Sequence, residues 1–557
     1  MKRCFIRMKG HYNVILEDVE CRVDSMLKSM VEDKDSFHYG GFISQGDGIV
    51  NPGGGVGVLS SIVPLYLNKD SKYYKDEVIY EKILAILGYL GKIQRADGTF
   101  DLLITNFHSS PDTGFIVQRI AEVYRVMEQC ANGVKIEEAK NKLFEIIKRA
   151  GEGMKNGGFH TPNHRWVVAS ALMLAHNITK EASFREMAER YLSEGIDCDE
   201  EGEYTERSTG IYNAVNNEAL IILAEELDKP ELLAHVKRNL DMMLTYIESD
   251  GTVFTHNSVR QDKGEGVDGY KFYPTRYYDL YLKMAYHFND GVYANMANEI
   301  FLNSQEQRSN VPNKLCLFML RPELKDFEIE LLPIPTSYHK YYKDSGIVRA
   351  RKDEWSYTIL KDNSSFLFFR NSNVQCYVKL CASFFARGQF KAHTIEKIKD
   401  GYKLQYSAHG FYRMPFEEAP ESSNWHEMDH SLRDLTNELT LNFQVCIKEI
   451  DKGLELSIVT DGCDRVPIKL EFGFTPNTWV ENDMFTFKAK PGDDLILKDG
   501  YIKVRKDLDS ISVGPGFGKH AYAAKMRGSD IKSPYDFTVY MTDFTNLEKT
   551  VHIISND

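Results

Sequence analysis

The sequence predicts a multidomain protein in which a helical domain, closed into a toroid of helical hairpins, precedes an antiparallel β domain. Three observations support this prediction: a helical spacing of apolar residues up to about residue 325, an alternating pattern from about residue 338, and a short turn motif that recurs in the helical half. Helices and strands that segregate along a chain of 557 residues indicate separate domains, because so long a chain exceeds one ordinary core.

Apolar residues three and four positions apart indicate a series of helices between about residues 12 and 325. The connections between them are rich in Gly, Asp and Asn, which favour turns. The predicted runs cover residues 77–93, 115–130, 136–154, 166–176, 183–194, 213–227, 230–247 and 277–288.

Beyond about residue 338 the chain alternates between apolar and polar residues and is rich in β-branched and aromatic side chains, as antiparallel strands are. The predicted strands cover residues 355–360, 365–369, 439–447, 454–459, 468–474, 502–504 and 537–540. We therefore expect a helical domain over residues 1–330, a Pro-containing linker over residues 331–337 and a β domain over residues 338–557.

An acidic-Gly turn followed by an aromatic residue recurs in the helical half. It occurs as Asp97-Gly-Thr-Phe100, as Asp250-Gly-Thr-Val-Phe254 and, in a related form, as Glu201-Gly-Glu-Tyr204. A turn that brings an aromatic side chain to the same rim of successive helix pairs is typical of hairpins that stack into an (α/α) toroid with a central cleft. The alternative interpretation is that Asp-Gly is simply a common turn.

The overall charge excludes some classes of partner. A net charge of −13 argues against general affinity for nucleic acid or for an anionic membrane. It does not exclude an acidic substrate, because local Arg, Lys and His side chains can make the electrostatic potential inside one cleft positive. The oligomeric state is not predicted.

Cysteine usage and the start of the chain bear on its compartment. Nine scattered cysteines without a Cys-x-x-Cys pair indicate reduced thiols rather than a disulfide framework. The basic start lacks the apolar run of a signal peptide, and no stretch is long and apolar enough to span a bilayer. We expect a cytoplasmic protein, or a periplasmic or secreted one if a leader was removed.

Two short segments carry the most specific chemical information, Asn163-His164-Arg165 and Glu206-Arg-Ser-Thr-Gly-Ile-Tyr212. An amide, an imidazole and a phenol suit the removal of a proton next to a carboxylate. The C5 hydrogen of a uronic acid is very weakly acidic, so an enzyme must neutralise the carboxylate, take the C5 proton and protonate the O4 leaving group. Asn163 and the imidazolium form of His164 are suitable neutralisers, and a tyrosine phenol such as that of Tyr212 can act as acid, or as base where cations lower its pKa.

Each of these residues also has a structural interpretation. Asn163 lies where it would cap a helix, Tyr212 lies where a helix would start with a buried aromatic, and Glu206 suits a capping interaction. Their co-occurrence with the repeated turns favours the catalytic interpretation.

At this point the sequence resembles the heparinase II/III-like polysaccharide lyases, which include alginate lyases of the same architecture. Their Asn-His pair is matched by Asn163-His164, and their later pattern Asp-Gly-x-x-x-Glu-x-Ser-x-x-Tyr is matched from Glu201 to Tyr212, with Glu in place of the first Asp. The resemblance implies an (α/α)6-type toroid followed by an antiparallel β-sandwich. It also implies that Asn163 and His164 neutralise the substrate carboxylate and that Tyr212 is the catalytic acid or acid/base.

The match is weaker in the β domain. The family's His-x-His-x-Asp-x-x-Ser stretch corresponds best to Phe390-Lys-Ala-His393-Thr-Ile-Glu396, which keeps only one histidine. His393 is therefore a candidate base or subsite residue, with a structural strand histidine as the alternative. The structural divalent metal of some relatives is possible here but unsupported, so no cofactor and no metal ligands are predicted.

Further candidates for substrate binding lie beside turns at the boundaries of helical segments, and the alternative for each is a surface or structural role. They are Asn106, His108, His160, Arg165, His256 and Arg276.

Three functions follow, in order of preference. The first is a lyase that cleaves a uronate-containing oligosaccharide or polysaccharide by β-elimination. The second is a glycoside hydrolase acting on a glucuronide or unsaturated uronide, with Glu206 and either Asp112 or Glu203 as its carboxylate pair. The third is a non-catalytic glycan-binding protein, because a fold does not determine an activity.

Overall fold

The structure is a computed structural model that describes residues 5–267, 269–306 and 311–556. Residues 1–4, which open the basic start of the chain and include Cys4, lie outside the described residues. The chain forms two compact units. The helical unit comprises Met1–Ile247, Ser258–Asp262 and Phe272–Ile334, and the β-rich unit comprises Glu248–Asn257, Lys263–Lys271 and Pro335–Asp557.

The helical unit is built mainly of helices, as the apolar spacing predicts, with four short strands among them. Its elements are β1 Phe5–Arg7, α1 Lys9–Leu27, α2 Pro52–Leu67, α3 Glu77–Ile93, β2 Phe100–Leu102, β3 Asn106–Ser109, α4 Ser110–Cys130, α5 Glu137–Asn156, α6 Pro162–Thr179, α7 Ala182–Leu192, α8 Tyr212–Leu227, α9 Leu233–Met243, α10 Tyr278–Phe288, α11 Gly291–Glu306, α12 Leu315–Leu320, α13 Pro322–Asp326 and β4 Glu328–Glu330.

Local signals explain where several helices begin and end. The Asp76 side chain caps α3 by accepting a hydrogen bond from the Ile79 N–H at 3.0 Å, so this helix has the predicted bounds. The predicted single helix over residues 230–247 is wrong in detail, since a 3-10 turn at Pro230–Leu232 precedes α9, which ends at Met243. Proline fixes the turn because it cannot donate a backbone hydrogen bond. Among the described helices, none is long and apolar enough to cross a membrane.

The β-rich unit contains two large sheets. Its strands are β5 Ser337–Tyr342, β6 Ile347–Lys352, β7 Trp355–Leu360, β8 Leu367–Asn371, β9 Val374–Ala382, β10 Thr394–Ile398, β11 Gly401–Arg413, β12 Leu435–Ile450, β13 Gly453–Asp461, β14 Pro467–Phe474, β15 Trp479–Glu481, β16 Thr486–Lys488, β17 Asp494–Ile496, β18 Ile502–Lys506, β19 Asp509–Gly514, β20 Phe537–Phe544 and β21 Glu548–Asn556.

The two sheets form a β-sandwich around one apolar core. One sheet has the order β10-β11-β12-β13-β21-β19-β18-β15-β16 and the other the order β17-β20-β14-β9-β8-β7-β6-β5. Neighbours are antiparallel except β17 and β20. In β14 and β20, Leu470 pairs with Met541 and Phe472 with Val539, and all four side chains enter the core. In β13 every second residue, Leu454, Leu456 and Ile458, enters the core, so the predicted alternation reflects one buried and one outward face there, whereas β14 and β20 are buried at nearly every position.

The three acidic-Gly turns share a backbone conformation. The glycine has a φ of 90° in Gly98, 96° in Gly202 and 76° in Gly251. A Cβ on Gly202 would lie 2.3 Å from the carbonyl oxygen of Arg238, so this turn requires glycine. The aromatic residue after each turn is buried rather than exposed to a cleft. These buried residues are Phe100, Tyr204 and Phe254.

Candidate active site

The Asn-His pair lies at the start of α6, in the helical unit. Thr161 precedes the helix in an extended conformation and Pro162 opens it, which suits proline because the first N–H of a helix has no partner within it. Asn163 is 0% exposed and is the second helical residue. It is therefore not a helix cap, and its amide side chain is directed to another segment of the unit.

That other segment carries Glu206. The Asn163 Nδ2 donates to both Glu206 carboxylate oxygens, at 3.1 and 2.8 Å, and lies 3.2 Å from the Thr161 hydroxyl. A carboxylate accepts hydrogen bonds but does not donate them, so this contact sets the orientation of the amide. The Asn163 Oδ1 is buried and has no hydrogen-bond partner among the described residues. It is an unused acceptor at the centre of the site.

Glu206 is 3% exposed and makes its contacts inside the unit. Burial raises the pKa of its carboxyl group, while the Asn163 amide and the Arg260 guanidinium act in the opposite direction. The Glu206 carboxylate interacts with both the side-chain amide and the backbone N–H of Asn163, so it contacts the first turn of α6 as well as orienting that amide.

Arg260, which the sequence analysis did not single out, joins Glu206 to Tyr212. Its Nε lies 3.2 Å from Glu206 Oε1, and its guanidinium carbon lies 4.9 Å from the centroid of the Tyr212 ring. The Nε–H does not point at the carboxylate, so the attraction is Coulombic rather than a hydrogen bond. Within the described ranges, its two terminal nitrogens donate to no protein group. The site thus contains a cation with unused planar donors.

Asp262 holds the segment that carries Arg260. Its Oδ2 accepts from the Gly210 N–H at 2.9 Å and its Oδ1 from the Ser258 hydroxyl at 2.5 Å. The Ser258 hydroxyl in turn accepts from the Arg260 N–H at 3.1 Å. The fully buried Asp262 carboxylate therefore ties the short Arg260 segment to the backbone just before Tyr212.

We expect Asp262→Asn to lower kcat about tenfold to a hundredfold with little loss of folded protein, because displacing Arg260 by about 1 Å is enough for such an effect. An amide accepts through one atom only, so it cannot hold both donors. The measurement is kcat alone and in an Arg260→Gln background. In that background the Asp262 substitution is expected to cost little, and equal losses in both backgrounds would contradict the positioning role.

Tyr212 is the first residue of α8 and borders a cavity. Its backbone N–H donates to the Ser208 hydroxyl at 3.0 Å, which fixes the start of the helix. The side chain is half-buried, and no described residue hydrogen-bonds its hydroxyl. The cavity has a volume of about 290 Å³, and its lining includes Tyr212, Phe115, Arg119, Asp112 and Arg276. A free phenol at a cavity wall is available to a ligand.

His164 is neutral at pH 7, which corrects the expectation of an imidazolium. Burial lowers the pKa of His164 to about 4, with smaller contributions in the same direction from His160 and Arg260 and an opposing one from Asp112. The ring is 7% exposed, its Nδ1 is buried, and no described residue hydrogen-bonds that atom. The positive charge of the site therefore resides on Arg260, and His164 offers a basic nitrogen.

The titration of His164 gives a prediction with a definite sign. Its pKa in the folded protein is about 4, below its ordinary value of 6.5, so the folded state binds fewer protons than the unfolded state between these values. Stability is therefore expected to fall as the pH drops from about 6.5 to about 4. Unfolding in denaturant across this range, with His164→Gln as the reference, measures the effect. An equal pH slope in both proteins would contradict it.

Glu203 lies in the interior and not at the cavity. It is 3% exposed, accepts from Asn213 Nδ2 at 2.9 Å, and burial raises its pKa to about 7. Nearby, the Tyr204 hydroxyl donates to Asn217 at 2.9 Å. This buried polar network supports the turn that precedes Tyr212.

The other predicted binding residues of the helical unit are only partly brought together. His160 is exposed, and its ring lies 4.8 Å from that of His164. Asn106 donates to Asp112 at 2.8 Å, and exposed His108 pairs with Asp97 at 2.6 Å.

Arg165 and Arg276 differ in what they contact. Arg165 lies 3.2 Å from Glu194 and 3.5 Å from Asp197, so its charge is already paired within the protein. Arg276 lines the cavity at Tyr212.

Two predicted residues belong to the β-rich unit. The His256 Nε2 donates to the Gly266 carbonyl oxygen at 2.7 Å. His393 is exposed, and its ring lies 4.8 Å from that of Tyr406. In the part of the chain that the structure describes, no group of three or more His, Cys, Asp or Glu side chains is arranged to hold a metal ion.

Comparison with solved structures shows the fold of polysaccharide lyases. The chain is similar to the xanthan lyase of Paenibacillus, with a TM-score of 0.58 and 8% identity over 99% of this chain and 58% of that enzyme. It is also similar to the chondroitin AC lyase of Streptomyces coelicolor A3, solved in complex with chondroitin sulphate, with a TM-score of 0.56 and 10% identity over 98% of this chain and 80% of that enzyme.

The chain therefore spans 58% of the length of the xanthan lyase that it resembles in fold. No protein-family model matches the sequence, and no match was found among curated proteins. At 8% and 10% identity the likeness establishes a helical toroid followed by a β-sandwich, and it leaves the activity to be argued from the site.

Proposed function

We propose that the protein is a lyase that cleaves a uronate-containing oligosaccharide or polysaccharide by β-elimination. The observation that carries this proposal is the position of Arg260, whose guanidinium lies over the Tyr212 ring at 4.9 Å and keeps its terminal donors free of any described protein group. A guanidinium beside a phenol that no described residue hydrogen-bonds is suited to a substrate whose carboxylate lies next to the reacting carbon.

The proposed elimination requires the enzyme to stabilise the uronate carboxylate, to take the C5 proton and to protonate O4. Removal of the C5 proton builds negative charge on the uronate carboxylate, and preorganised donors stabilise that charge. Arg260 supplies a planar guanidinium whose geometry matches a carboxylate. Asn163 is 0% exposed and its Nδ2 holds the Glu206 carboxylate, so we assign it the positioning of Glu206 beside Arg260 rather than a contact with the substrate.

Two proton transfers complete the elimination. The C5–H bond breaks, its electron pair forms the C4–C5 double bond, and the C4–O4 bond breaks. We assign the proton for O4 to the Tyr212 hydroxyl, which no described residue binds. The C5 proton is assigned to His164, because an imidazole with a pKa of about 4 is already neutral at pH 7. The anionic substrate would raise this pKa by opposing Arg260.

The carboxylates of the site do not favour the hydrolase alternative. Hydrolysis of a glycoside by a carboxylate pair requires both groups to reach the glycosidic bond. Glu206 and Glu203 are each 3% exposed and hold protein amides. Asp112 lines the cavity and accepts from Ser109 and Asn106 through one oxygen only, so it is the one of these three carboxylates placed to reach a ligand, and a single carboxylate does not make the required pair.

A screen against uronate oligosaccharides tests the proposal. The panel contains oligomers of glucuronate, mannuronate and guluronate, and the readout is the ultraviolet absorbance of a 4,5-unsaturated uronate. We expect absorbance to rise with at least one substrate. New reducing ends without absorbance would establish hydrolysis instead, and binding without turnover of any substrate would establish a non-catalytic glycan-binding protein.

A further inference from the structure

The cavity at Tyr212 contains two arginines that have no partner among the described residues. Arg119, on α4, and Arg276, in the 3-10 turn Pro274–Tyr277, both line it and both are exposed. Among residues 5–267, 269–306 and 311–556, neither forms an ion pair or hydrogen bond. Two unpaired arginines in one cavity stand out in a chain whose net charge is −13, since acidic partners are plentiful.

The acidic side chains of the same cavity are already occupied. Asp101 accepts from Arg95 Nε at 2.9 Å and from the His108 N–H at 2.8 Å. Asp112 accepts from Asn106 at 2.8 Å and from Ser109 at 2.5 Å. Donors of the protein therefore stabilise both carboxylates, of which Asp112 uses one oxygen, whereas the two guanidinium groups have no partner among the described residues. The cavity is therefore suited to bind an anion, which would supply the negative charge and the hydrogen-bond acceptors for the two guanidinium groups.

The cavity is separate from the contact between Arg260 and Glu206. The Tyr212 ring borders the cavity, and Arg260, which is not among the cavity-lining residues, lies over that ring. Phe115 and Ile116 add apolar wall, against which a sugar ring can pack. A volume of about 290 Å³ leaves room for only a small part of a glycan.

We propose that Arg119 and Arg276 form a second anion subsite, which binds a sulfate or carboxylate on the sugar adjoining the uronate that Arg260 holds. This inference rests on the proposed function for the identity of the first sugar. It narrows the substrate class to glycans in which the uronate has an anionic neighbour. A guanidinium group binds sulfate and carboxylate alike through a pair of hydrogen bonds. The experiment therefore distinguishes which of the two anions the subsite binds.

The test measures binding by calorimetry in a Tyr212→Phe background, so that turnover does not interfere. The probes are sulfated and desulfated chondroitin tetrasaccharides, which differ only in the sulfate beside the uronate, together with a mannuronate trisaccharide, in which every sugar carries a carboxylate. The added variants are Arg119→Gln, Arg276→Gln and the corresponding lysine substitutions. Arg190→Gln, an exposed arginine on α7 that lies outside the cavity, is the matched control.

We expect tighter binding of the sulfated tetrasaccharide or of the mannuronate trisaccharide than of the desulfated tetrasaccharide. Each glutamine substitution should weaken that binding about tenfold and reduce its dependence on salt, since a charge-assisted contact is lost. Lysine should retain part of the affinity, and Arg190→Gln all of it. A loss for the sulfated chain assigns the subsite to sulfate, and a loss for the trisaccharide assigns it to carboxylate.

Two results would overturn the inference: affinities that Arg119→Gln and Arg276→Gln leave unchanged, and an equal or undetectable affinity for all three probes. Failure of the lyase proposal looks different. In that case the arginine-dependent binding is present, but the unsubstituted enzyme forms no ultraviolet-absorbing product from any substrate.

Discussion

Replacing Tyr212 by Phe should lower the rate of unsaturated-product formation by about 10²–10⁴-fold, the range over which a positioned acid or base contributes to catalysis. The substitution removes one oxygen atom that no described residue binds, and it keeps the ring over which Arg260 lies. The fold and the cation–π contact are therefore retained. The measurement is kcat from ultraviolet absorbance, with thermal unfolding as the check on folding.

Glu206→Gln is the matched comparison for Tyr212→Phe, because it separates the two enzymatic interpretations. In the lyase, Glu206 positions Asn163 and Arg260 and does not transfer the proton, so its loss should be the milder one. A hydrolase that uses Glu206 requires the reverse order. Retention of most activity in Tyr212→Phe would exclude this tyrosine as the proton donor.

Replacing Arg260 by Gln should lower kcat/KM by about 10²–10³-fold, as loss of a preorganised group that stabilises developing negative charge does. Arg260→Lys keeps the charge but loses the planar pair of donors, so it should recover only part of the rate. Steady-state kinetics on the best substrate from the panel measures both variants.

Arg260→Gln should also change the titration of His164. The guanidinium contributes to the low pKa of this imidazole, about 4, so removing the charge should move that pKa upward. Titration of the His164 ring followed by NMR measures the shift. A purely structural role for Arg260 predicts a loss of folded protein without that shift, and an unchanged titration in a well-folded variant would contradict the proposed electrostatic role.

Much of the fold follows from local patterns. The helix α3 has the bounds that its apolar spacing predicts, and β7 those that its β-branched and aromatic residues predict. In contrast, α2 is not among the predicted helical runs, and its Gly-Gly-Gly run and β-branched residues give it only a weak local preference for a helix. Burial on nearly every side of α2 overrides that weak local preference.

The candidate site divides in the same way. Asn163, Glu206 and Tyr212 were identified from short motifs, since each lies in a segment whose spacing is visible in the sequence. The role of Asn163 was less clear, because a helix cap and a ligand of a distant carboxylate look alike until the partner is known. The structure provides that partner, Glu206, at 2.8 Å.

The sequence by itself determined the order of a helical and a β-rich part and the presence of an amide, an imidazole and a phenol near helix starts. Only the tertiary structure decided that Arg260, which follows Tyr212 by 48 positions in the sequence, lies over the phenol ring. It also decided that His164 is buried and therefore neutral. The physical reason is one of range. Periodicity and capping depend on residues within a few positions, whereas charge state and ligand geometry depend on contacts that the path of the whole chain creates.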